Sequence, residues 1–95
     1  MVSFTVRMEF PESERERVKQ YLRILAAESR KEPGCVTYIP HLVEGAAGTV
    51  LIYEQYRDEA ALEDHRNSPH FQEHAAAGLY KVITSRQLER LEAVA

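Results

Sequence analysis

The sequence predicts an α+β domain in the order β-α-β-β-α-β, a four-stranded antiparallel sheet with its helices on one face. Three observations lead there. Residues 2–10 alternate apolar and polar without a break, residues 18–29 place apolar side chains at helical spacing, and two further strand-like runs are joined by a Gly-containing turn at 44–48.

Val2, Phe4, Val6, Met8 and Phe10 are apolar and Ser3, Thr5, Arg7 and Glu9 polar, so the first segment is a strand with one buried face. Pro11 ends it, and Ser13-x-x-Glu16 has the spacing of a capping box. Val18, Tyr21, Leu22, Leu25 and Ser29 then mark the inner face of a helix that stops at Pro33-Gly34. Cys35 to Val43 reads as a second strand, with Val36, Tyr38 and Leu42 on one face and Ile39 and Val43 on the other. Pro40 has no N–H for a ladder, which predicts an edge strand or a bulge. Thr49 to Arg57 is a third strand, apolar on both faces and hence central.

Asp58 is placed to cap a short helix reaching about Asn67, and Ser68-Pro69 restarts the helical pattern with Ser as cap and Pro in the first turn. The second helix is therefore broken in two. Phe71, Ala75, Leu79 and Val82 give its second piece an apolar side, in which Gly78 costs up to about 1 kcal/mol relative to alanine. The tail, with Leu88, Leu91 and Val94, reads as a last strand, although Gln87 to Ala93 also suits a helix. This is the ferredoxin-like arrangement. Its helix-free sheet face would carry Ile39, Val43, Leu51 and Tyr53, an apolar patch of the kind that marks an interface. A homodimer packed sheet on sheet would close it with two-fold symmetry.

The 95 residues form one domain, 1–95, with 44% apolar and 28% charged content and no repeat or linker. A net charge of −3, with bases scattered among acids, gives no footprint for nucleic acid. No apolar run has the length of a membrane span, and residues 1–6 lack the pattern of a signal peptide. The lone Cys35 precludes an internal disulfide and fits a reducing cytoplasm.

Glu54 shares its strand face with Val50, Ile52 and Tyr56, so a carboxylate is set among apolar neighbours and needs a partner. His65 and Tyr38 are the candidates, and a carboxylate that orients an imidazole is a recurring catalytic device. From spacing alone, a buried trio tying helix to sheet is the commoner explanation. His70-Phe71-Gln72-Glu73-His74 matches H-x-x-E-H, but a metalloprotease needs a third ligand and a far longer chain, so no metal is expected. Cys35 has no base beside it in sequence, and buried thiols are usually inert. No P-loop, G-x-G-x-x-G or G-x-S-x-G is present, hence no nucleotide or flavin cofactor is predicted. Tyr56, Phe71 and Tyr80 suit a pocket wall, although plain core explains each one singly.

Glu32-Pro33-Gly34-Cys35-x-x-Tyr38, followed by Val50-x-Ile52-x-Glu54-x-Tyr56-x-Asp58-x-x-Ala61-Leu62-x-x-His65-x-x-Ser68-x-His70-Phe71, resembles the antibiotic biosynthesis monooxygenase family, and its small quinol monooxygenase-like members in particular. The resemblance implies a dimeric α/β barrel with a pocket between sheet and helices. It also implies oxygenation of a small hydroxylated aromatic or quinol by molecular oxygen without metal or flavin. Carried over by position, His65 is base or proton shuttle, Glu54 is its polar partner, and Tyr38, His70, Tyr56 and Phe71 bind substrate. The chain departs from the family in having no tryptophan, which many members carry at position 56, and in having Arg7 where a haem-degrading branch has asparagine. That argues against haem breakdown. The alternatives are a non-catalytic, stress-related ligand-binding dimer and an isomerase of an enolisable compound.

Overall fold

A computed structural model describes residues 1–95. Strand β1, Val2–Glu9, buries Val2, Phe4, Val6 and Met8, every second residue as its alternation requires. Helix α1, Arg15–Ser29, lays Val18, Leu22, Leu25, Ala26 and Ser29 against the sheet. The capping box does not form. A 3-10 turn over Glu12–Glu14 takes Ser13 into its own winding, and α1 starts from Glu14 with no side-chain cap. Here the Glu14 N–H donates to the Pro11 carbonyl at 2.8 Å.

Strands β2, Cys35–Leu42, and β3, Thr49–Tyr56, follow, and β4, Ser85–Leu91, closes the chain. The tail of the sequence is thus strand rather than helix. The sheet order is β2-β3-β1-β4 with every pair antiparallel, the ferredoxin-like topology. Pro40 lies on an edge strand, as its missing donor demands. The same strand also bulges between Cys35 and Thr37. That extra residue breaks the alternation, so Val36 does not share the inner face with Tyr38 and is 49% exposed.

Asp58 caps helix α2, Glu59–Arg66, by accepting the Ala61 N–H at 2.8 Å. Ser68 makes the break that follows. Its hydroxyl donates to the His65 carbonyl at 2.6 Å and accepts the Phe71 N–H at 3.2 Å. Beyond it the chain winds as a π-helix over Phe71–Leu79 and ends in one α turn, Tyr80–Val82. The apolar spacing predicted an ordinary α-helix here, and it carries no mark of the wider winding. Gly78 is buried because this segment presses on α1: a Cβ there would stand 2.7 Å from Tyr21 Cε1. No helix is long and apolar enough to cross a membrane. On the sheet face without helices, Leu51 and Tyr53 are half-buried and Ile39 is 43% exposed. Val43 falls just beyond β2, where its N–H donates to the Thr49 carbonyl.

Candidate active site

The turn between α1 and β2 delivers the first member of the site. Gly34 is buried so tightly against α2 that a Cβ would come within 2.3 Å of Ala61 Cβ, and its carbonyl accepts the Arg57 N–H at 2.8 Å. Ala61 is one helical turn before His65 on α2. The close approach therefore brings Glu32, two residues ahead of Gly34, to His65. Glu32 Oε2 accepts from His65 Nδ1 at 2.9 Å and from His70 Nε2 at 2.5 Å. An ionised carboxylate only accepts, so both ring nitrogens donate here. This assigns the His65 proton to Nδ1 in the neutral ring and leaves Nε2 as a lone pair. Glu32 Oε1 is buried with no partner, and so is Ser29 Oγ on the same turn.

Glu54 stands at the centre of the sheet, opposite Phe4 on β1 and Tyr38 on β2. It is 6% exposed. Tyr56, two residues on along the same face, donates its hydroxyl to Glu54 Oε1 at 2.7 Å. The same oxygen is 3.7 Å from His65 Nε2, within ion-pair range and beyond a hydrogen bond. Burial raises the Glu54 carboxyl above its ordinary value, opposed by the Tyr56 hydrogen bond and, when its ring is protonated, by the charge of His65. Burial, and then the Glu54 charge, push the Tyr38 phenol well above its usual range, and the same causes raise Tyr56. Both stay protonated at neutral pH.

His65 is 3% exposed and sits in a cage of rings. Its centroid is 5.0 Å from that of Tyr56, 5.2 Å from Phe71, 5.9 Å from Tyr38 and 6.1 Å from His70. A narrow cleft reaches it, lined by Phe4, Val6, Leu62, Phe71 and Leu88 with Glu54 and His65 at the polar end and Arg66, Tyr80 and Arg86 also on the wall. Its free space is about 20 Å³, room for roughly one water molecule. Two wider hollows lie elsewhere, one of about 170 Å³ between α1 and β2 and one of about 420 Å³ at the β2–β3 turn. Neither touches the buried acid–imidazole cluster.

The sequence-predicted residues are thus gathered into one place, with different contacts than foreseen. His65, Glu54 and Phe71 meet at the cleft, while Tyr38, Tyr56 and His70 lie outside its lining, Tyr56 bonded to Glu54, His70 to Glu32 and the Tyr38 ring against that of His65. The carboxylate hydrogen-bonded to His65 is Glu32 rather than Glu54. Sequence reasoning passed over Glu32 because 33 residues separate it from His65, although it opens the Glu-Pro-Gly-Cys string. Glu32, His65 and His70 offer three donor atoms within 4.8 Å of one another, a spacing that suits one divalent cation. His74 is not among them. On the π-wound segment it leans toward Tyr21, with ring centroids 6.4 Å apart, so the H-x-x-E-H string does not present its histidines as a pair. Burial, then the charges of Glu32 and Glu54, push the Cys35 thiol up to about 11, which keeps it protonated and a poor nucleophile.

The sequence pattern of the antibiotic biosynthesis monooxygenase family matches residues 1–77. The chain belongs to the antibiotic biosynthesis monooxygenase family. A Mycobacterium tuberculosis relative named "Putative monooxygenase Rv0793" is 36% identical over 58 residues, which are 60% of this chain and 55% of that protein. An uncharacterised Synechocystis protein, sll1783, is 40% identical over 47% of this chain and 31% of its own length. The matches thus span about half or less of these curated relatives. Among solved structures, PA3566 from Pseudomonas aeruginosa superposes with a TM-score of 0.91 at 29% identity, covering 99% of this chain and 94% of that one. The Rv0793 structure from Mycobacterium tuberculosis gives 0.89 at 24% identity over 99% and 95%, a likeness of fold. In this monooxygenase-family member Glu32, Glu54, His65, His70 and Phe71 fall within the matched stretch, whereas Tyr80 and Arg86 lie beyond it.

Proposed function

We propose that this chain is a cofactor-independent monooxygenase of a small hydroxylated aromatic or quinol, with His65 as base. The observation that carries the reading is the Glu32–His65 hydrogen bond of 2.9 Å, which orients the imidazole so that Nε2 is the basic nitrogen of its neutral form, beside a cleft. A base is the one protein group this chemistry requires, because the substrate supplies its own electrons. His65 Nε2 takes the proton of a ring hydroxyl, and Glu54 at 3.7 Å faces the imidazolium that results. The substrate anion passes one electron to molecular oxygen, and the two radicals join at a ring carbon. Cleavage of the O–O bond leaves one oxygen on the ring and releases the other as water, with the two hydrogens of the quinol. Glu32 acts through His65 as a positioning residue, and His70 braces Glu32.

The working unit in this proposal is a homodimer closed over Leu51, Tyr53 and Ile39, the apolar side chains left open on the sheet. One observation favours a second reading. The raised Glu54 carboxyl 3.7 Å from the His65 imidazole suits an acid–base pair, the equipment of an isomerase acting on an enolisable compound. Oxygen uptake with a panel of hydroquinones separates the two. The oxygenase consumes one O₂ per quinol above the autoxidation control and keeps this rate after dialysis against chelator. No uptake above that control for any quinol would overturn it.

A further inference from the structure

Arg86 and Arg90 flank Leu88 on the covered face of β4, since their partners on β1 are the inward-facing Met8 and Phe4. Both are exposed on this outer strand, where a guanidinium is solvated or takes a carboxylate partner. Arg90 has one: Glu59, in the first turn of α2, accepts from it at 2.6 and 3.2 Å. Arg86 pairs with no carboxylate, and neither does Arg66 at the end of α2. Instead both line the cleft that ends on His65 and Glu54. Arg86 rests its guanidinium over the Tyr80 ring, 5.0 Å from the centroid.

We infer that the cleft takes an anionic substrate, a small hydroxylated or enolisable compound bearing a carboxylate or phosphate that Arg66 and Arg86 hold while its acidic proton reaches His65. The assignment of His65 to that proton rests on the function proposed above, whereas the anion site rests on the two arginines alone. The size of the cleft supports the pairing of recognition with entry. Free space of about 20 Å³ admits no ring, so the wall must part. Phe4, Val6 and Leu62 are locked in the core, which leaves the exposed Arg66 and Arg86 and the half-buried Phe71, Tyr80 and Leu88 as the movable side. An anion offers Arg86 a charge-assisted contact in exchange for the Tyr80 ring, and a neutral ligand offers none. Burial shifts Glu54 toward its neutral form, which lessens its repulsion of an incoming anion.

Calorimetric titration of the full chain with hydroquinone, 2,5-dihydroxybenzoate and 4-hydroxyphenyl phosphate tests this without any turnover. At least one anionic probe is expected to bind roughly tenfold or more tightly than hydroquinone, with a preference that shrinks as salt rises. The better of the two identifies the anion as carboxylate or phosphate. Arg86→Gln and Arg66→Gln, each checked for an unchanged melt, should bring the ratio toward one, and Arg90→Gln should leave it as it is. Hydroquinone binding as tightly as both anions, no binding of any probe at millimolar concentration, or a preference that survives both cleft variants would overturn the inference. Anion preference without oxygen uptake would leave it standing while the oxygenase reading falls. Oxygen uptake from neutral quinols with no anion preference would do the reverse.

Discussion

On one side of β3 stand Val50, Ile52, Glu54 and Tyr56, all buried, and on the other stand Leu51, Tyr53 and Gln55, all half-buried. The first row sits under the helices, with Tyr56 hydrogen-bonded to Glu54 at 2.7 Å and Glu54 in ion-pair range of His65 at 3.7 Å. The second row has apolar area and a lone side-chain contact, Gln55 to Ser3 at 3.1 Å. Chemistry needs the first kind of order, because a proton moves over a few tenths of an ångström. Association needs only area and shape, which the second kind supplies. Substitutions on the two faces should therefore fail differently: on the covered face turnover goes while assembly stays, and on the open face assembly goes first.

The largest effect is expected at His65. Loss of a general base costs about 10²–10⁴ in rate, so His65→Ala should lower kcat by that order with the dimer mass unchanged. Glu32→Gln should cost less, since its amide oxygen still accepts from Nδ1 while the charge is gone. Unaltered kcat in His65→Ala, for a substrate the wild type turns over, would remove the histidine from the mechanism.

Gly34 links the fold to that chemistry. Gly34→Ala puts a methyl 2.3 Å from Ala61 Cβ, so α2 or the Glu32 turn has to move. Overpacking of this kind costs about 1–3 kcal/mol. Thermal melts should show a lower Tm, and activity should fall further than stability alone explains because Glu32 leaves His65. The double substitution Gly34→Ala with Ala61→Gly should restore activity, and Tm to within the roughly 1 kcal/mol that a glycine costs in a helix. A Tm within error of wild type in the single variant would show that the contact relaxes freely.

Much of this was legible before any coordinates. Strict alternation marks β1, two apolar faces mark β3 as central, Pro40 limits β2 to an edge or a bulge, and Asp58 and Ser68 mark the starts of the two helical pieces. What escaped the sequence has physical causes. Ser13 has the spacing of a cap, but spacing does not say whether the chain is already winding at that point, and a 3-10 turn starts one residue earlier. The bulge at Val36 shifts a face without changing any residue type. The π winding over Phe71–Leu79 leaves the apolar count of the segment intact. In the site, Glu54 is readable because it is polar within an apolar pattern, and His65 as its candidate partner and by its place in the family resemblance. Glu32 sits in a polar turn, where one more carboxylate carries no signal until Gly34 docks on Ala61.

The open face should respond by dissociating. Wild type should scatter light with about twice the 10.9 kDa chain mass at micromolar concentration. Leu51→Glu or Tyr53→Asp buries a charge in the proposed interface, and the mass should fall toward that of one chain. A variant that keeps the dimer mass would place the interface on another surface.

The smallest effect, and the sharpest probe of the covered face, is the pH dependence set by Glu54. Its folded pKa lies above the ordinary 4.5, with burial as the leading cause. Between these two values the folded state binds a proton that the unfolded chain has lost. Stability then falls with rising pH, because unfolding releases the proton. The favourable contribution is full below pH 4.5 and is lost as pH rises through the folded value. Glu54→Gln keeps an acceptor for the Tyr56 hydroxyl and has no proton to lose. Chemical denaturation at a series of pH values should therefore show a smaller fall in stability above pH 4.5 for the variant than for wild type. Other carboxylates titrate in both proteins and cancel in the difference. Curves that run parallel through this window would mean that the Tyr56 hydrogen bond and the charge of His65 together offset the cost of burial, and that Glu54 enters the site ionised.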